Sequence, residues 1–428
     1  MRPTFISVAL VALSFHTACA QAELSATEQQ IAKYARESGD DAIALLEQVV
    51  NINSGTMNFE GVHKVGDVFA EHLDELGFKT TWHDMGEVNR AGHLFAENAG
   101  GGNCELLIGH LDTVFEADSP FQRFTRNSNM AAGPGVNDMK GGDVVILFAL
   151  KALAQAGVLD DGKFIVALIG DEEKSGSPKS ISRRHLVDAA KRCDVALGFE
   201  IATSLGAATV ARRGSSGWTL EVTGKRAHSS GIFSDEVGAG AVFETARILD
   251  RFYNEVRGEQ YLTFNPGLIL GGTAVEHDPE KNRGSAFGKT NVVAQRVVVD
   301  GGLRTISTEQ ESSARDKMRA ITESGNLPMT SAKITFEDGY PSMPPTPGNM
   351  QLLDTLSQVS QDLGYGPVEA FDPGKRGAAD VSFVAAYVDV LDGLGAEGNG
   401  AHTPDETIDL STLPMLIQRA AVLMYRLM

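Results

Sequence analysis

Basic residues, cysteines and repeats are scarce in this sequence. Lys and Arg number 37 against 56 Asp and Glu, which gives a formal net charge of −19 and argues against nucleic acid or an anionic membrane as the main partner. No internal repeat or low-complexity tract occurs in the 428 residues, of which 42% are hydrophobic and 22% are charged. These values exclude a fibrous or disordered chain and fit a globular protein of two or three domains.

Some of the basic residues are clustered, at Arg212-Arg213, Lys225-Arg226 and Lys375-Arg376. Because such clusters set the local electrostatic field, the acidic total does not exclude a small anionic substrate. The Gly-x-Ser-x-Gly elbow of serine hydrolases is also missing, which argues against that chemistry.

Residues 1–22 have the layout of a cleavable secretory signal. Met1-Arg2 precedes an apolar run from Phe5 to Phe15, and small residues follow up to Ala22. The run is too short to span a bilayer, and lipidation at Cys19 is disfavoured because His16 stands where a branched apolar residue is needed. The sequence therefore predicts a soluble periplasmic or secreted protein without a membrane anchor.

Three cysteines occur in the chain. If Cys19 leaves with the signal, Cys104 and Cys193 remain, each just before an apolar strand-like run. An exported chain could join them in a disulfide, but we favour two buried free thiols.

Short apolar runs alternate with helical segments between Glu23 and Ala211. The helical segments are Ser25 to Val50, Gly61 to Leu76 and Asp143 to Ala156, and the strand-like runs are Leu106 to Ile108, Phe164 to Ile169 and Val195 to Leu197. Buried strands that alternate with helices predict an α/β domain with a mostly parallel central sheet.

The pattern changes at Arg212. Up to about residue 340 the elements follow the order β-α-β-β-α-β, which predicts a small α+β, ferredoxin-like domain with an open antiparallel sheet. A proline-rich segment begins at Pro341, and helical periodicity resumes at Gln351. We therefore predict a catalytic domain made of residues 23–211 and 341–428, with residues 212–340 inserted into it.

Metal-binding side chains follow three of the strand-like runs. His110 ends the first run, Asp171-Glu172-Glu173 follows the second, and Glu200 follows the third. In open α/β sheets the carboxyl ends of the strands line the ligand crevice, so these groups should converge.

Two loops are expected to complete the set. Asp138 lies in the glycine-rich segment Gly133 to Gly142, directly before a helix, and His402 lies in a loop near the C-terminus. A two-zinc centre needs about five imidazole and carboxylate ligands. The predicted ligands are His110, Asp138, Glu173, Glu200 and His402.

These motifs resemble those of the M20 family of metallopeptidases, and in particular its glutamate carboxypeptidase group. The matching segments are Gly109 to Val114, Asn137 to Gly142, Asp171-Glu172-Glu173, Gly198-Phe199-Glu200 and Ala401-His402. Each motif alone is weak, since a single His-x-Asp is usually polar surface. Together, in family order, the motifs make coincidence improbable.

The resemblance implies a role for each matching residue. Asp138 would bridge two zinc ions, with His110 and Glu200 on one ion and Glu173 and His402 on the other. Asp112 would orient His110, and Glu172 would be the general base that activates water held between the ions. The inserted segment would be a dimerisation domain.

The resemblance also implies residues that bind substrate: His228, which the partner subunit can contribute, Asn291 and Arg304. Arginine is suited to a terminal carboxylate. Three residues separate Asp300 from Arg304, whereas the family has one residue between the two positions. The register of Arg304 in its strand therefore stays open.

The sequence thus predicts a homodimeric zinc carboxypeptidase that releases a C-terminal amino acid, such as glutamate, from a small peptide or an N-acyl amino acid. Two alternatives stay open: an N-acyl-amino-acid amidohydrolase or aminopeptidase on the same metals, and a zinc-dependent binding protein without turnover. The presence of Glu172 argues against the second, because a binding protein needs no base.

Overall fold

The computed structural model describes residues 24–428, so the predicted signal segment lies outside the described residues. The helices are α1 (Ala26–Glu37), α2 (Gly39–Val50), α3 (Phe59–Glu75), α4 (Lys140–Gln155), α5 (Lys179–Ser182), α6 (Arg184–Ala190), α7 (Ala241–Arg251), α8 (Thr308–Glu323), α9 (Pro347–Asp362), α10 (Val381–Val384) and α11 (Leu413–Leu427). Among residues 24–428, no helix combines the length and the apolar character that a bilayer span requires.

The strands are β1 (Lys79–Met85), β2 (Arg90–Glu97), β3 (Cys104–His110), β4 (Thr125–Asn127), β5 (Met130–Ala132), β6 (Lys163–Ile169), β7 (Val195–Gly198), β8 (Ala207–Ala208), β9 (Gly214–Gly224), β10 (Thr263–Gly272), β11 (Ala274–Asp278), β12 (Arg283–Phe287), β13 (Arg296–Thr305), β14 (Thr330–Tyr340), β15 (Glu369–Ala370), β16 (Asp389–Leu391), β17 (Gly398–Asn399) and β18 (Thr407–Asp409).

The larger sheet has six strands in the order β1-β2-β6-β3-β7-β16. Strands β6, β3, β7 and β16 run parallel to one another, β2 pairs antiparallel with β6, and β1 pairs antiparallel with β2. Every residue of β3 is buried because apolar layers cover both faces of the sheet, as parallel strands require. The carboxyl ends of β6, β3 and β7 therefore meet at one edge of the sheet.

The inserted part contains a four-stranded antiparallel sheet in the order β10-β13-β9-β14. Helices α7 and α8 pack on one face of this sheet around a core that includes Trp218, Leu220 and Met318. The chain enters and leaves this part at adjacent points, since Arg212 and Met343 exchange backbone hydrogen bonds of 2.9 and 3.0 Å. The α/β architecture with an inserted ferredoxin-like unit is the predicted fold.

Three features differ from the sequence-based expectations. The segment from Ser25 to Val50 is two helices, because the chain turns at Ser38 and the acidic first turn of α2 begins a new helix at Gly39. Strands β11 and β12 form a hairpin that was not predicted.

Cys104 and Cys193 are joined in a disulfide, so the expectation of two free thiols was wrong. Asp194 exchanges hydrogen bonds with the backbone of Cys104, which brings the amino end of β7 against that of β3.

Candidate metal centre and active site

Three neighbouring parallel strands deliver the first group of polar side chains. His110 is the last residue of β3, the segment Asp171 to Glu173 follows β6, and Glu200 follows β7. Close packing at this edge depends on glycine: a Cβ atom on Gly109 would lie 2.0 Å from Asp143 Oδ1. The order of the strands thus places the three groups at one edge, as expected from the sequence.

Two loops complete the cluster. Asp138 lies in the turn before α4, where glycine permits tight packing: a Cβ atom on Gly142 would lie 2.0 Å from the carbonyl oxygen of Phe199. His402 lies in a turn between β17 and β18 and has a left-handed φ of 64°. Its side chain is 57% exposed, whereas that of His110 is 2% exposed.

The five predicted ligands form two groups that share Asp138. In the first, His110 Nε2 lies 3.3 Å from Asp138 Oδ1 and 3.7 Å from Glu200 Oε1. In the second, His402 Nε2 lies 3.1 Å from Asp138 Oδ2 and 3.0 Å from Glu173 Oε2. Within each group the candidate ligand atoms all lie within 4.8 Å of one another.

This donor set fits a pair of metal ions. Ligand atoms at 2.0–2.2 Å from a tetrahedral zinc ion are about 3.4 Å apart, close to the distances found here. Glu173 Oε1 is buried and has no hydrogen-bond partner within residues 24–428, as expected of an oxygen that faces a cation. Imidazole and carboxylate groups together are suited to zinc, although they do not exclude other divalent ions.

The charged groups of the cluster change one another's pKa values. Hydrogen bonds to Asp138 and Glu173 raise the pKa of His402 to about 11. Although burial opposes it, hydrogen bonds from His110 and His402 lower the pKa of Asp138. Burial, followed by the negative charges of Glu200 and Asp380, raises the pKa of Glu172 well above its ordinary value.

Asp112 is fully buried and contacts both His110 and the segment that contains Glu172 and Glu173. Its Oδ1 accepts a hydrogen bond from the backbone N–H of Glu172 at 3.0 Å, and its Oδ2 accepts from that of Glu173 at 3.1 Å and from the Thr56 hydroxyl at 2.6 Å. His110 Nδ1 lies 3.0 Å from the Asp112 carbonyl oxygen and 3.5 Å from Oδ1. The residue can therefore orient both His110 and the acidic segment after β6.

A buried network of hydrogen bonds and ion pairs also holds the segment Asp171 to Glu173 in place. The hydroxyl of Tyr340, the last residue of β14, donates to the Glu172 carbonyl oxygen at 2.9 Å. Arg183 donates to the Tyr340 hydroxyl at 3.1 Å and pairs with Asp171 and Asp380. The last strand of the inserted sheet thus contacts the backbone of the proposed base directly.

Sequence reasoning missed Glu406 and Lys140. The Glu406 carboxylate accepts hydrogen bonds from the backbone N–H groups of Gly135, Asn137 and Asp138 at 3.2, 2.9 and 3.0 Å. Lys140 Nζ donates to two carbonyl oxygens at the carboxyl end of α2. Lys140 lies within the motif Asn137 to Gly142 but was given no role there. No motif includes Glu406, although an acid four residues after His402 could have been considered.

Arg304 is one of the three predicted substrate-binding residues, and its place in strand β13 shows which face of the sheet carries its side chain. In β13 the side chains of Val297, Val299 and Leu303 face the helices of the inserted part, so Arg304 and Asp300 face the opposite side of the sheet. The Arg304 guanidinium forms no hydrogen bond or ion pair with another residue between 24 and 428. Burial, followed by the charge of Arg213, lowers the pKa of Arg304.

His228 and Asn291 lie next to each other in the inserted part, where the Ser229 N–H donates to the Asn291 carbonyl oxygen at 2.9 Å. His228 Nδ1 lies 2.9 Å from Ser230 Oγ. In the part of the chain that the structure describes, neither side chain hydrogen-bonds or ion-pairs with the five predicted ligands.

Comparisons with known proteins identify the family of the chain. A model of peptidase family M20/M25/M40 matches residues 106–426, which include all five of the motifs. The chain belongs to this family. The family that the motifs indicated is thus confirmed, and the protein is a metal-dependent hydrolase of the M20 peptidases.

Among the M20 relatives, carboxypeptidase G2 from Pseudomonas sp. (strain RS-16) is 27% identical over 433 residues, which covers 98% of each chain. Aminopeptidase PepT from Bacillus cereus has a similar structure, with a TM-score of 0.71 at 16% identity over 91% of this chain and 98% of that one. A dinuclear metal binding M20 peptidase from Bacillus subtilis has a TM-score of 0.64 at 14% identity over 91% and 99%. At these identities, the two solved structures support the fold of this chain but not its activity.

Proposed function

We propose that this M20 hydrolase is a dizinc carboxypeptidase. It would cleave the amide bond before the C-terminal amino acid, such as glutamate, of a small peptide or an N-acyl amino acid. The observation that carries the proposal is the pair of ligand groups joined through Asp138, with Glu172 held next to them. The name of the relative carboxypeptidase G2 supports the direction of cleavage.

The metal ions would be held by His110, Asp138 and Glu200 on one side and by Asp138, Glu173 and His402 on the other. When bound, they would polarise the amide carbonyl and make water more acidic.

Glu172 would take the proton from the attacking water and return it to the leaving nitrogen. Because Glu173 would be a ligand, the adjacent Glu172 would be free to transfer protons. The balanced reaction adds one water to the amide and yields a carboxylic acid and an amine.

Substrate recognition would begin with the terminal carboxylate. Arg304 lies on the side of its sheet that faces away from the helices and has no acidic partner in the described residues, so its planar fork is available to a carboxylate. His228 and Asn291 would contact the substrate from the inserted part, with His228 supplied by a partner subunit.

The first test is a substrate panel on the purified chain together with metal analysis. We expect two zinc ions per chain and release of the C-terminal residue from N-acyl-glutamate and folate-like conjugates. Cleavage restricted to dipeptides with a free amine would instead favour an aminopeptidase, the activity named for the structural relative PepT. Metal binding without cleavage of any substrate would favour a binding protein.

The second test separates the base from the ligands. We expect Glu172→Gln to retain both metal ions and to lose activity by at least about 100-fold, since general base catalysis contributes about 10²–10⁴. His110→Ala should lose metal as well as activity. Exposed residues of α3 give matched controls: Glu71→Gln and His63→Ala should change neither property. Undiminished turnover in Glu172→Gln would disprove the proposed mechanism.

A further inference from the structure

Residues 373–377 form a loop that two consecutive arginines hold in place. Arg212 Nη1 donates to the Gly377 carbonyl oxygen at 2.9 Å, and Arg213 Nη2 donates to the Gly374 carbonyl oxygen at 2.9 Å. Both arginines lie where the chain passes from β8 into β9 of the inserted part. The loop is therefore fixed at both ends, and Arg376 lies between the two points of attachment.

Arg376 extends towards the ligand Glu200. Its Nη2 donates to the carbonyl oxygen of Ile201, the next residue in the chain, at 2.8 Å. Its Nε is buried and has no hydrogen-bond partner within residues 24–428. This single hydrogen bond to a carbonyl oxygen leaves most of the donors of the guanidinium unused.

No carboxylate of the described residues forms an ion pair with Arg376. Its neighbour Arg212 does have such a partner, because Arg212 Nε pairs with the buried Asp392. Burial, followed by the positive charge of Arg212, lowers the pKa of Arg376 to about 10, so the side chain is still charged at neutral pH.

Arg376 is half-buried, and its Nε atom is enclosed without a partner. Such an arrangement is unfavourable, because charged groups that are removed from water are usually paired. Glu200, the predicted ligand next to Ile201, already belongs to the His110 group. The unused donors of Arg376 therefore remain for an anion that enters with the substrate. A carboxylate fits this role because the guanidinium fork can bind its two oxygens together.

We propose that Arg376 binds the side-chain carboxylate of the amino acid that is released, so that the enzyme prefers substrates with a dicarboxylic C-terminal residue. This inference rests on the proposed carboxypeptidase function, in which Arg304 binds the main-chain carboxylate. Arg213 connects the two arginines, since it anchors the loop of Arg376 and its charge acts on Arg304. The two guanidinium groups would then bind the two carboxylates of one residue.

The test compares substrates that differ only in this carboxylate. The ratio of kcat/KM for N-acyl-glutamate to that for N-acyl-glutamine should be at least about 10 in the wild-type enzyme. In Arg376→Gln the ratio should fall to about 1, mainly through loss of activity on the glutamate substrate. Arg376→Lys should keep part of the preference, because it retains the charge but lacks the planar fork.

Lys375→Gln is the matched control, because Lys375 is an exposed cation on the same loop. It should leave the ratio unchanged. Free glutamate and glutamine as product inhibitors give a second measurement that does not depend on turnover by a variant, and glutamate should inhibit the wild-type enzyme at least about 10-fold more strongly.

The outcomes separate the two proposals. If the wild-type enzyme releases neutral and acidic residues equally well, the inference about Arg376 is wrong while the carboxypeptidase function stands. The same holds if Arg376→Gln alters only the preference for the acyl group, which would place the residue on the other side of the scissile bond. If the wild-type enzyme releases no C-terminal residue from any substrate, the proposed function itself is wrong.

Discussion

At the scale of single residues, Asp112 shows how much of the site depends on one carboxylate. It accepts three hydrogen bonds, from the backbone N–H groups of Glu172 and Glu173 and from the Thr56 hydroxyl. An amide cannot replace it, because one of its two acceptor oxygens becomes an NH₂ group that faces another donor. The proposed base and one ligand would then both lose their orientation.

We therefore predict that Asp112→Asn lowers kcat by about 10- to 100-fold and weakens metal binding. The milder Thr56→Val should have a smaller effect on kcat, since it removes a single hydrogen bond and leaves both backbone contacts in place. Steady-state kinetics and metal analysis of both variants check this order. If Asp112→Asn behaves like the wild-type enzyme, the carboxylate does not organise the site.

The sequence was most informative about the residues that end the buried strands. His110, Glu173 and Glu200 could be placed together because parallel neighbouring strands end at the same edge, and the structure brings these three side chains together with Asp138 and His402. Their roles as ligands stay predictions.

Glu406 and Arg376 could not be found in this way. The role of Glu406 depends on backbone N–H groups about 270 positions earlier in the chain. The role proposed for Arg376 depends on its buried Nε atom, which has no hydrogen-bond partner within residues 24–428.

At the scale of elements, hydrophobic periodicity predicted the main helices and the order of elements in the inserted part. It missed the break between α1 and α2 because the apolar pattern continues across Ser38. The hairpin of β11 and β12 was missed because its residues are mostly exposed and polar and give no clear alternation. Periodicity reports burial, so elements that bury little of their surface leave little signal.

The disulfide between Cys104 and Cys193 follows from the pairing of two elements. Strands β3 and β7 are parallel neighbours, so the residues that precede or begin them lie side by side. The bond closes a loop across a sequence separation of 89 residues, which spans Asp138 and Glu173. The sequence alone could not settle the pairing because the neighbour of β3 was not known.

We predict that the mature protein contains no free thiol when it is titrated in denaturant without reductant. Replacing both cysteines by alanine should lower the free energy of unfolding by as much as about 4 kcal/mol, since the denatured chain regains the freedom that the closed loop removes. Denaturation of the variant and of the wild-type protein, both freed of metal, measures the difference. Two reactive thiols per wild-type chain would contradict the prediction.

At the scale of the whole molecule, the inserted part has an exposed apolar surface next to its edge strand β10. We define this apolar surface as Phe233, Val242, Phe243 and Ile269, whose exposed fractions are 70%, 51%, 52% and 58%. Exposed apolar surfaces of this kind usually mark a protein interface, and within residues 24–428 β10 is the edge strand of its four-stranded sheet. We propose that a second copy of the chain covers this surface through a twofold interface.

Two experiments test the dimer and the contribution of His228 across it. In sedimentation, the wild-type chain should have twice the monomer mass, and Phe243→Asp should dissociate it, because a charge in the apolar surface opposes burial. Tyr387→Asp changes an aromatic residue that is 51% exposed outside the apolar surface, so it should remain dimeric. A monomeric wild-type chain would rule out the interface.

The second experiment mixes two inactive variants, Glu172→Gln and His228→Ala, after dissociation and reassociation. If His228 completes the site of its partner, the mixed dimer contains one intact site, with Glu172 from one chain and His228 from the other. Random pairing makes half of the dimers mixed, so activity should recover to about a quarter of the wild-type value per site. If His228 acts on its own chain, both variants in the mixed dimer stay inactive, and the absence of recovery would assign the histidine to its own subunit.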